Sequence, residues 1–285
     1  MIDREVAGAT ALDAVSRISD AELARIVKLV YERSGITLHA GKRALIVARL
    51  QSRMRAGAFA SFSDYLHAVE RDTSGVELCG LLDAIATNHT SFFREEQHFR
   101  LLQTRVLPAL TGPTPIRIWS AACSSGEEPT SIVVTAFETL PPDEHRRLRV
   151  LASDLSTKAL ATARRGVYPM DRVSSIPLDL LRKYFERGLG AQKGLARVSA
   201  TVRRTIEYRH QNLLEITDMG ERFDVIFCRN VMIYFDLGAQ QRVVSMLERH
   251  LAPHGHLFIS HAETLNGVSH RMRWVAPAVY QRVTT

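Results

Sequence analysis

The sequence of 285 residues contains only three cysteines, and they lie far apart. Cys79, Cys123 and Cys228 form no Cys-x-x-Cys pair, which is a common spacing in zinc and redox sites. Isolated thiols are typical of a reduced compartment, so we expect a cytoplasmic protein. The sequence also lacks a run of 18 apolar residues, and residues 1–17 lack the apolar segment of a signal peptide. We therefore predict no secretion and no insertion into a membrane.

Acidic residues are outnumbered, because 37 Lys and Arg face 30 Asp and Glu, for a net charge of +7. This excess favours an acidic partner, and nucleic acid, an anionic membrane and an acidic protein all qualify. Between Glu32 and Asp64 there is no acidic residue at all. In that gap Lys42, Arg49 and Arg53 are spaced seven and four residues apart, so they line one face of a predicted helix. The row is either a docking surface or a solvated helix face.

The apolar pattern divides the chain into a helical part and an alternating part. We predict a leader over 1–17, an all-helical domain over 18–87, a linker and helix over 88–110, and an α/β domain over 111–285. In the helical domain, Ser-x-x-acid capping boxes at Ser19, Ser61 and Ser74 mark three helix starts. In the α/β domain, predicted strands at 116–121, 149–154, 204–210, 223–228, 255–260 and 278–283 alternate with helices, as in a Rossmann-like fold.

The segment Ile116–Pro129, IRIWSAACSSGEEP, is the most informative part of the sequence. It reads as a buried strand, a loop of small residues and a helix start, which is the arrangement of a nucleotide site in an α/β sheet. Glu127 and Glu128 follow the loop, and two carboxylates would repel a pyrophosphate. We therefore expect a nucleoside ligand without phosphates that carries a positive group. S-adenosylmethionine has these properties.

Polar residues follow the next predicted strands. Asp154 ends RVLASD, where an acid bonds ribose hydroxyls, although it could also cap the helix that begins at Ser156. Asn212 and Leu213 follow IEYRHQ, where an amide can hydrogen-bond the edge of an adenine and a leucine can pack on the face of its ring. The alternative, that Asn212 is an ordinary loop asparagine, is nearly as good.

The segment Phe223–Asp236, FDVIFCRNVMIYFD, carries Arg229 and Asn230 at a strand end and Tyr234 four residues further on. Tyr234 either lines the reaction site or is a core aromatic. Methyltransferases that act on the exocyclic amines of bases usually have Asp/Asn-Pro-Pro-Tyr here, and cytosine-C5 enzymes need a Cys after a Pro. The sequence has neither, so it argues against a nucleic-acid substrate.

Three further segments allow two interpretations each. In TNHTSFFREE (87–96), Asn88, Thr90 and Arg94 surround a Phe pair; Arg94 could hold a carboxylate, and the Phe side chains could join two domains. The Gly-rich stretch Arg187–Ala200 is a small antiparallel excursion or a surface loop. The four histidines of HLAPHGHLFISH form a metal site or a loop of solvated histidines; they lack metalloprotease spacing, so we predict no metal site.

From about residue 19 onward, the chain resembles the bacterial chemotaxis receptor methyltransferases, the CheR family. The resemblance rests on TNHTSFFRE, WSAACSSGEEPTSI, ASDLS, QNLL and FDVIFCRNVMIYFD, in that order. It implies an all-α domain followed by a Rossmann-like S-adenosylmethionine domain with an inserted antiparallel β-subdomain, at about 187–203. The implied activity is methyl esterification of glutamates on the cytoplasmic helices of chemoreceptors, by a monomer that needs no metal.

The resemblance also implies roles for individual residues. The cofactor contacts would be Asn88, Thr90, Arg94, Glu127, Asp154, Asn212, Leu213, Arg229 and Asn230. Arg94 and Tyr234 would lie at the reaction site, and Arg49 and Arg53 would face the substrate. Gly188, Gly190 and Gly194 are similar to the glycines with which some members grip a receptor's C-terminal pentapeptide. The rival interpretations are a nucleic-acid methyltransferase, a catalytically silent adaptor that binds the cofactor and, more distantly, an NAD dehydrogenase.

Overall fold

The computed structural model describes residues 18–38, 41, 43–85 and 89–283, so the predicted leader over 1–17 lies outside it. The chain divides into two compact units. The first unit runs to Thr87 and also includes the short segment Tyr234–Asp236, whereas the second comprises the rest of the chain. None of the described helices has both the length and the apolar character to cross a bilayer.

The first unit is built from helices that bury one face each. Its described helices are α1 (Asp20–Ser34), α2 (Arg43–Ala56), α3 (Phe62–Arg71) and α4 (Val76–Ile85). Ile26 and Val30 of α1 are fully buried, as are Leu50 and Met54 of α2. In each helix the two buried residues lie four positions apart, and so on one face. Apolar residues at this spacing therefore form the core of the first unit.

Two of the three predicted helix caps form as expected. Ser19 and Glu22 make a complete capping box at α1, and the Ser61 hydroxyl accepts the Asp64 N–H at α3. The box predicted at Ser74 is wrong, because the Glu77 N–H donates to Asp72 at 2.6 Å instead. Asp72 also accepts the Ser74 N–H, and the Ser74 hydroxyl accepts the Val76 N–H at 3.4 Å, so both side chains hold the start of α4.

The second unit begins with one helical stretch of mixed geometry. Helix α5 (Glu96–Leu101) continues as a π-helical turn (Leu102–Val106) and ends as α6 (Leu107–Ala109). Pro108 lacks a backbone N–H, and its ring would clash with the carbonyl four residues earlier in a regular α-helix. The wider π turn relieves that conflict and lets the chain remain helical as far as Ala109.

The second unit is organised around a seven-stranded sheet with the spatial order β6-β2-β1-β7-β8-β10-β9. Its strands are β1 (Ile116–Ala121), β2 (Leu148–Asp154), β6 (Ile206–His210), β7 (Phe223–Cys228), β8 (Leu251–Phe258), β9 (Met272–Ala276) and β10 (Val279–Arg282). The first five in this spatial order are parallel, while β10 pairs antiparallel with β8 and with β9. The strand order reverses between β1 and β7, where open α/β sheets bind their ligands.

Helices connect the parallel strands. They are α7 (Glu127–Thr139), α8 (Thr157–Arg165), α9 (Met170–Val173), α10 (Leu178–Tyr184), α11 (Ala200–Arg204) and α12 (Leu237–His250). The sheet core is aromatic in its centre: Trp119 is fully buried, and the Phe227 and Phe258 rings stack at 4.5 Å. The predicted α/β alternation is confirmed, whereas strand β9 was not predicted.

A separate three-stranded antiparallel sheet lies between β2 and β6 in the sequence. It consists of β3 (Val167–Pro169), β4 (Phe185–Arg187) and β5 (Leu195–Val198), in the order β3-β5-β4. The antiparallel excursion is therefore present, and the surface-loop alternative is wrong. The sheet extends beyond the predicted 187–203, because Val167–Pro169 forms its third strand. We call residues 166–199 the insert.

Candidate active site

The loop between β1 and α7 is compact because three of its residues adopt left-handed backbone conformations. Ala122, Ser124 and Gly126 have φ values of 72°, 50° and 97°. The N–H groups of Ala122 and Cys123 both donate to the Ser153 carbonyl of β2. A Cβ at Gly126 would lie 2.8 Å from that of Ala163. Only glycine fits there, and the two non-glycine residues store strain of the kind found at functional sites.

Asp154 holds this loop from the end of β2. One carboxylate oxygen accepts the Ser124 N–H at 2.7 Å, and the other accepts the Ser156 N–H at 2.8 Å. The side chain that caps α8 is Ser156, which accepts the Ala159 N–H. Asp154 therefore also accepts the N–H of the residue that caps α8, beside its contact with the loop. Asp154 lies at the carboxyl edge of the sheet, in the position expected for a ribose-binding acid.

Glu127 is fully buried at the first turn of α7. One carboxylate oxygen accepts the Ser125 hydroxyl at 2.7 Å, and the other pairs with the Arg172 guanidinium of the insert. Arg172 also donates to the Thr90 carbonyl at 3.2 Å. The loop, the insert and the segment that begins at His89 therefore meet around one carboxylate.

Arg229, at the end of β7, lies between two carboxylates. Its guanidinium is 3.1 Å from Glu128 and 3.1 Å from Glu95, and it also donates to the Arg94 carbonyl. Burial raises the pKa of Glu128, although Arg229 opposes this effect. Burial also disfavours the ionised form of Glu95, but the Ser260 hydroxyl and Arg229 outweigh it and lower the pKa of Glu95. The predicted residues Arg94 and Arg229 are thus brought together by their hydrogen bond.

Asn230 follows with a left-handed backbone (φ 58°), and Glu263 fixes it there. The Glu263 carboxylate accepts the N–H groups of Asn230, Val231, Met232 and Ser260 at 2.7 to 3.1 Å. The Asn230 amide donates to the Ser260 hydroxyl at 2.6 Å. Burial raises the pKa of Glu263, while these four N–H groups favour its ionised form. Glu263 therefore organises the loop that carries Arg229 and Asn230.

Two histidines complete this buried network. Within the described part of the chain, Glu95, His98 and His261 are the one group of three side chains whose potential metal-ligating atoms converge. The His98 and His261 rings stack at 4.6 Å, and burial lowers the pKa of His98 to about 4. Arg229 already supplies a positive charge to Glu95. We therefore interpret the two histidines as neighbours of the Glu95–Arg229 ion pair.

Among the histidines near β8, His250 accepts the Met219 N–H through Nε2 and lies 2.8 Å from the Met246 carbonyl through Nδ1. His261 instead stacks on His98. His250 and His261 are close in the sequence, and we expected one cluster. Their described contacts are with different parts of the second unit.

The remaining predicted residues of the second unit lie in defined places. The Arg94 guanidinium donates to the His89 carbonyl at 2.8 Å, and the ring of Phe92 contacts Tyr168 and Phe185 edge-on. Leu213 is buried, and the Gln211 N–H donates to the Asp154 carbonyl, which brings the following Asn212 close to the end of β2. Asn88 lies outside the described residues.

The glycines of the β4–β5 connection are needed by the loop itself. A Cβ at Gly188 would lie 2.1 Å from the Gln192 carbonyl oxygen. Gly190 and Gly194 have φ values of 54° and 89°. The loop geometry alone therefore explains all three glycines, whether or not they bind a peptide.

The predicted residues of the first unit have internal partners. Arg49 donates to the Ile85 carbonyl at 2.6 Å, and Arg53 pairs with Glu77 at 2.7 Å. Tyr234 belongs to the same unit, and its carbonyl accepts the Thr37 N–H at 2.8 Å. The sequence did not anticipate the Arg53–Glu77 pair, because the two residues lie on different helices.

Several residues that organise the site were missed by sequence reasoning. These are Glu95, His98, Arg172, Ser260 and Glu263. Glu95 lies inside the segment TNHTSFFREE, and Glu263 lies in the loop after β8, so a position in the loop after a parallel strand was the available signal for it. Arg172 had no comparable signal.

Comparisons with known proteins agree over both units. Residues 88–280 match the family model "CheR methyltransferase, SAM binding domain", and residues 21–86 match "CheR methyltransferase, all-alpha domain". The chemotaxis protein methyltransferase of Borreliella burgdorferi is 37% identical, over 93% of this chain and 95% of its own. Chemotaxis protein methyltransferase 2 of Pseudomonas aeruginosa is 40% identical, over 88% and 89%. The Escherichia coli chemotaxis protein methyltransferase is 38% identical, over 92% and 91%.

Proposed function

This chain belongs to the CheR family of S-adenosylmethionine-dependent methyltransferases, and from that premise we propose that it methylates glutamate carboxylates of chemoreceptors. The products would be glutamate methyl esters and S-adenosylhomocysteine. The observation that carries the proposal is the site between β1 and β7, where the Arg94 backbone, Arg229 and the loop after β1 form one network. The enzyme would act as a cytoplasmic monomer on the receptors' cytoplasmic helices.

The donor set fits S-adenosylmethionine. Asp154 offers a carboxylate for the ribose hydroxyls, and the buried Glu127 carboxylate suits an ammonium group. Leu213 offers an apolar surface to adenine, and Asn212 offers an amide to its polar edge. Thr90, Arg94, Arg229, Asn230 and Asn88 would complete the contacts, as the family resemblance implies. Bound there, the molecule would supply an electrophilic methyl group.

The protein's own task is to position the acceptor. A glutamate side chain has a reference pKa of about 4.3, so it is ionised at neutral pH and needs no general base. Arg94 would orient this carboxylate, and Tyr234 would line the same site. Water stabilises separated charges more than a transition state in which they neutralise each other. Exclusion of water and alignment of the reactants would therefore supply much of the rate.

Receptor recognition would involve α2 and the insert. Arg49 and Arg53 would face the acidic receptor helix, in addition to their internal partners Ile85 and Glu77. The loop that contains Gly188, Gly190 and Gly194 would hold a receptor's C-terminal pentapeptide. Removal of those five residues from a receptor should then raise the KM for that receptor and leave kcat unchanged, because a tether acts on local concentration.

Mass spectrometry of a receptor cytoplasmic fragment tests the proposal. After incubation with the protein and S-adenosylmethionine, glutamate peptides should gain one methyl group, and Glu→Ala at those positions should abolish the gain. Addition of an RNA or DNA mixture provides the rival substrate. Methylation of nucleic acid without methylation of the receptor would refute the proposal, and cofactor binding without any transfer would favour the silent adaptor.

A further inference from the structure

Arg172 lies in α9 of the insert, outside every segment that carried the family resemblance. Its guanidinium pairs with the Glu127 carboxylate and donates to the Thr90 carbonyl at 3.2 Å. Two positions proposed to contact the cofactor are therefore held by one side chain. The Arg172 side chain is 41% exposed, whereas that of Glu127 is fully buried, so the arginine reaches inward from the surface.

The two bonds that Glu127 makes do not use every lone pair of its carboxylate. Its two oxygens accept from Arg172 and from the Ser125 hydroxyl. An ionised carboxylate offers about four lone-pair directions, so an ammonium group can share it with these donors. A buried carboxylate without a positive partner is strongly destabilising. Arg172 provides that partner before any ligand binds.

The insert also holds the backbone of the same loop. The Tyr168 hydroxyl of β3 donates to the Ser125 carbonyl at 2.7 Å, and the edge-on contact between Phe92 and Tyr168 has a centroid distance of 5.0 Å. The insert therefore fixes the loop through Tyr168 and aims its carboxylate through Arg172. These two tasks can be separated experimentally.

We propose that Arg172 is a positioning residue that holds the Glu127 carboxylate ready for the ammonium group of S-adenosylmethionine. The inference rests on the proposed role of Glu127 in cofactor binding. Arg172 touches neither the methyl group nor the acceptor in this account. Its loss should weaken binding of the amino-acid end of the cofactor, whereas turnover at saturating cofactor should be unchanged.

Calorimetry with two ligands tests this directly. S-adenosylhomocysteine carries the ammonium group, and 5′-methylthioadenosine shares the nucleoside but lacks the amino-acid end. Arg172→Met should weaken S-adenosylhomocysteine about tenfold, as expected for one charge-assisted contact, and should change 5′-methylthioadenosine less than about twofold. Arg172→Lys should restore part of the affinity. Arg165→Met removes an exposed arginine that donates to Thr162 and should change neither ligand.

A double-mutant cycle with Glu127→Gln shows whether Arg172 acts through that carboxylate. We expect Glu127→Gln alone to weaken S-adenosylhomocysteine and Arg172→Met to add little in its presence. Additive losses, or equal losses for both ligands, would overturn the inference, since Arg172 would then act elsewhere or only through the loop fold. If Arg172→Met left the affinity for S-adenosylhomocysteine unchanged while Glu127→Gln weakened it, the inference about Arg172 would be overturned and the proposed role of Glu127 would stand. If Glu127→Gln left that affinity unchanged, the proposed cofactor role of Glu127 itself would be overturned.

Discussion

Arg229 shows how much of this site depends on individual buried charges. Its guanidinium contacts Glu95, Glu128 and the Arg94 carbonyl while its side chain is only 2% exposed. Removal of one partner from a buried ion pair is far more costly than the net value of the pair, because the remaining charge stays desolvated. The network therefore fixes the geometry around Arg94 and leaves little freedom to the chain at this point.

Arg94→Ala should lower turnover by at least tenfold and weaken cofactor binding much less, because the proposed role of the guanidinium is to orient the acceptor carboxylate. Single-turnover methyl transfer and calorimetry with S-adenosylhomocysteine measure the two effects. Arg100→Ala, an exposed arginine of α5, serves as the control. Equal losses of turnover and affinity would rule out the orienting role.

Asp154→Ala should weaken S-adenosylhomocysteine and 5′-methylthioadenosine equally, by about tenfold or more, because both ligands contain the ribose. This result would differ from that of Arg172→Met, which should affect only the ligand with an amino-acid end. Calorimetry with both ligands makes the comparison. If neither affinity changed, the ribose assignment would be wrong.

His98 should make the second unit sensitive to acid. Burial and Arg229 lower its pKa to about 4, with Glu95 opposing them. Between pH 6.5 and 4 the unfolded chain binds a proton at this position that the folded chain does not, so stability falls as pH falls. The full loss is roughly 3 kcal/mol.

Urea unfolding at pH 7.5 and pH 5 measures the part of this loss that is present at pH 5, about 2 kcal/mol. Both tryptophans, Trp119 and Trp274, lie in the second unit, so their fluorescence follows that unit alone. His98→Phe should show a smaller decrease in unfolding free energy between the two pH values. An equal decrease in both proteins would mean that His98 does not contribute to it.

At the scale of secondary structure, the sequence predicted elements that have a clear period and missed those that do not. Three helix starts of the first unit and the central strands were predicted within a few residues, because capping residues mark the helix starts and buried apolar runs mark the strands. Strand β3 has three residues and forms part of a sheet only because β5 pairs with it. The cap at Asp72 and the π turn before Pro108 likewise depend on local geometry that no periodicity reveals.

The same limit applies to the site. The placement of Asp154, Asn212 and Arg229 at one edge of the sheet could be predicted, because the carboxyl ends of parallel strands meet there; their roles toward a cofactor stay predictions. Glu263 and Arg172 act on residues more than 30 positions away in the chain, so their partners are defined only by the fold. Of the predicted basic row, Lys42 lies outside the described residues, whereas Arg53 of α2 is tied to Glu77 of α4.

Arg53→Met should destabilise the first unit by roughly 1–3 kcal/mol, because Glu77 would keep a half-buried charge without its partner. Arg55→Met, on the exposed side of the same helix, should cost less than about 0.5 kcal/mol. Urea unfolding followed by far-ultraviolet circular dichroism compares the two variants. Equal stabilities would show that the ion pair contributes nothing to folding, and any loss of receptor binding could then be assigned to contact with the substrate.

At the scale of the whole molecule, a second stretch of the chain has an excess of positive charge, besides the acid-free residues 33–63. Residues 157–204 contain eleven basic and three acidic side chains, whereas the whole chain has a net charge of +7, so the remainder is close to neutral. Ten of the eleven basic residues are exposed. A local excess of this kind attracts an acidic partner and speeds its association.

Association with an acidic receptor fragment should therefore slow as salt increases, because screening shortens the reach of the charges. Stopped-flow measurements between about 50 and about 300 mM salt measure the association rate while the Debye length shortens. Lys193→Glu within this region should reduce the association rate more than Arg271→Glu outside it. Equal effects of the two reversals would show that the concentrated charge does not steer the partner.

The most direct test of the central claim is the release of volatile label in alkali. The protein is mixed with methyl-labelled S-adenosylmethionine and a receptor cytoplasmic fragment, and the product is treated with base. Carboxyl methyl esters release methanol under these conditions, whereas methylated amines and bases do not. We predict volatile label that requires the receptor fragment and is strongly reduced in Arg94→Ala. Stable, non-volatile label, or cofactor binding without transfer to any receptor fragment, would contradict glutamate methylation.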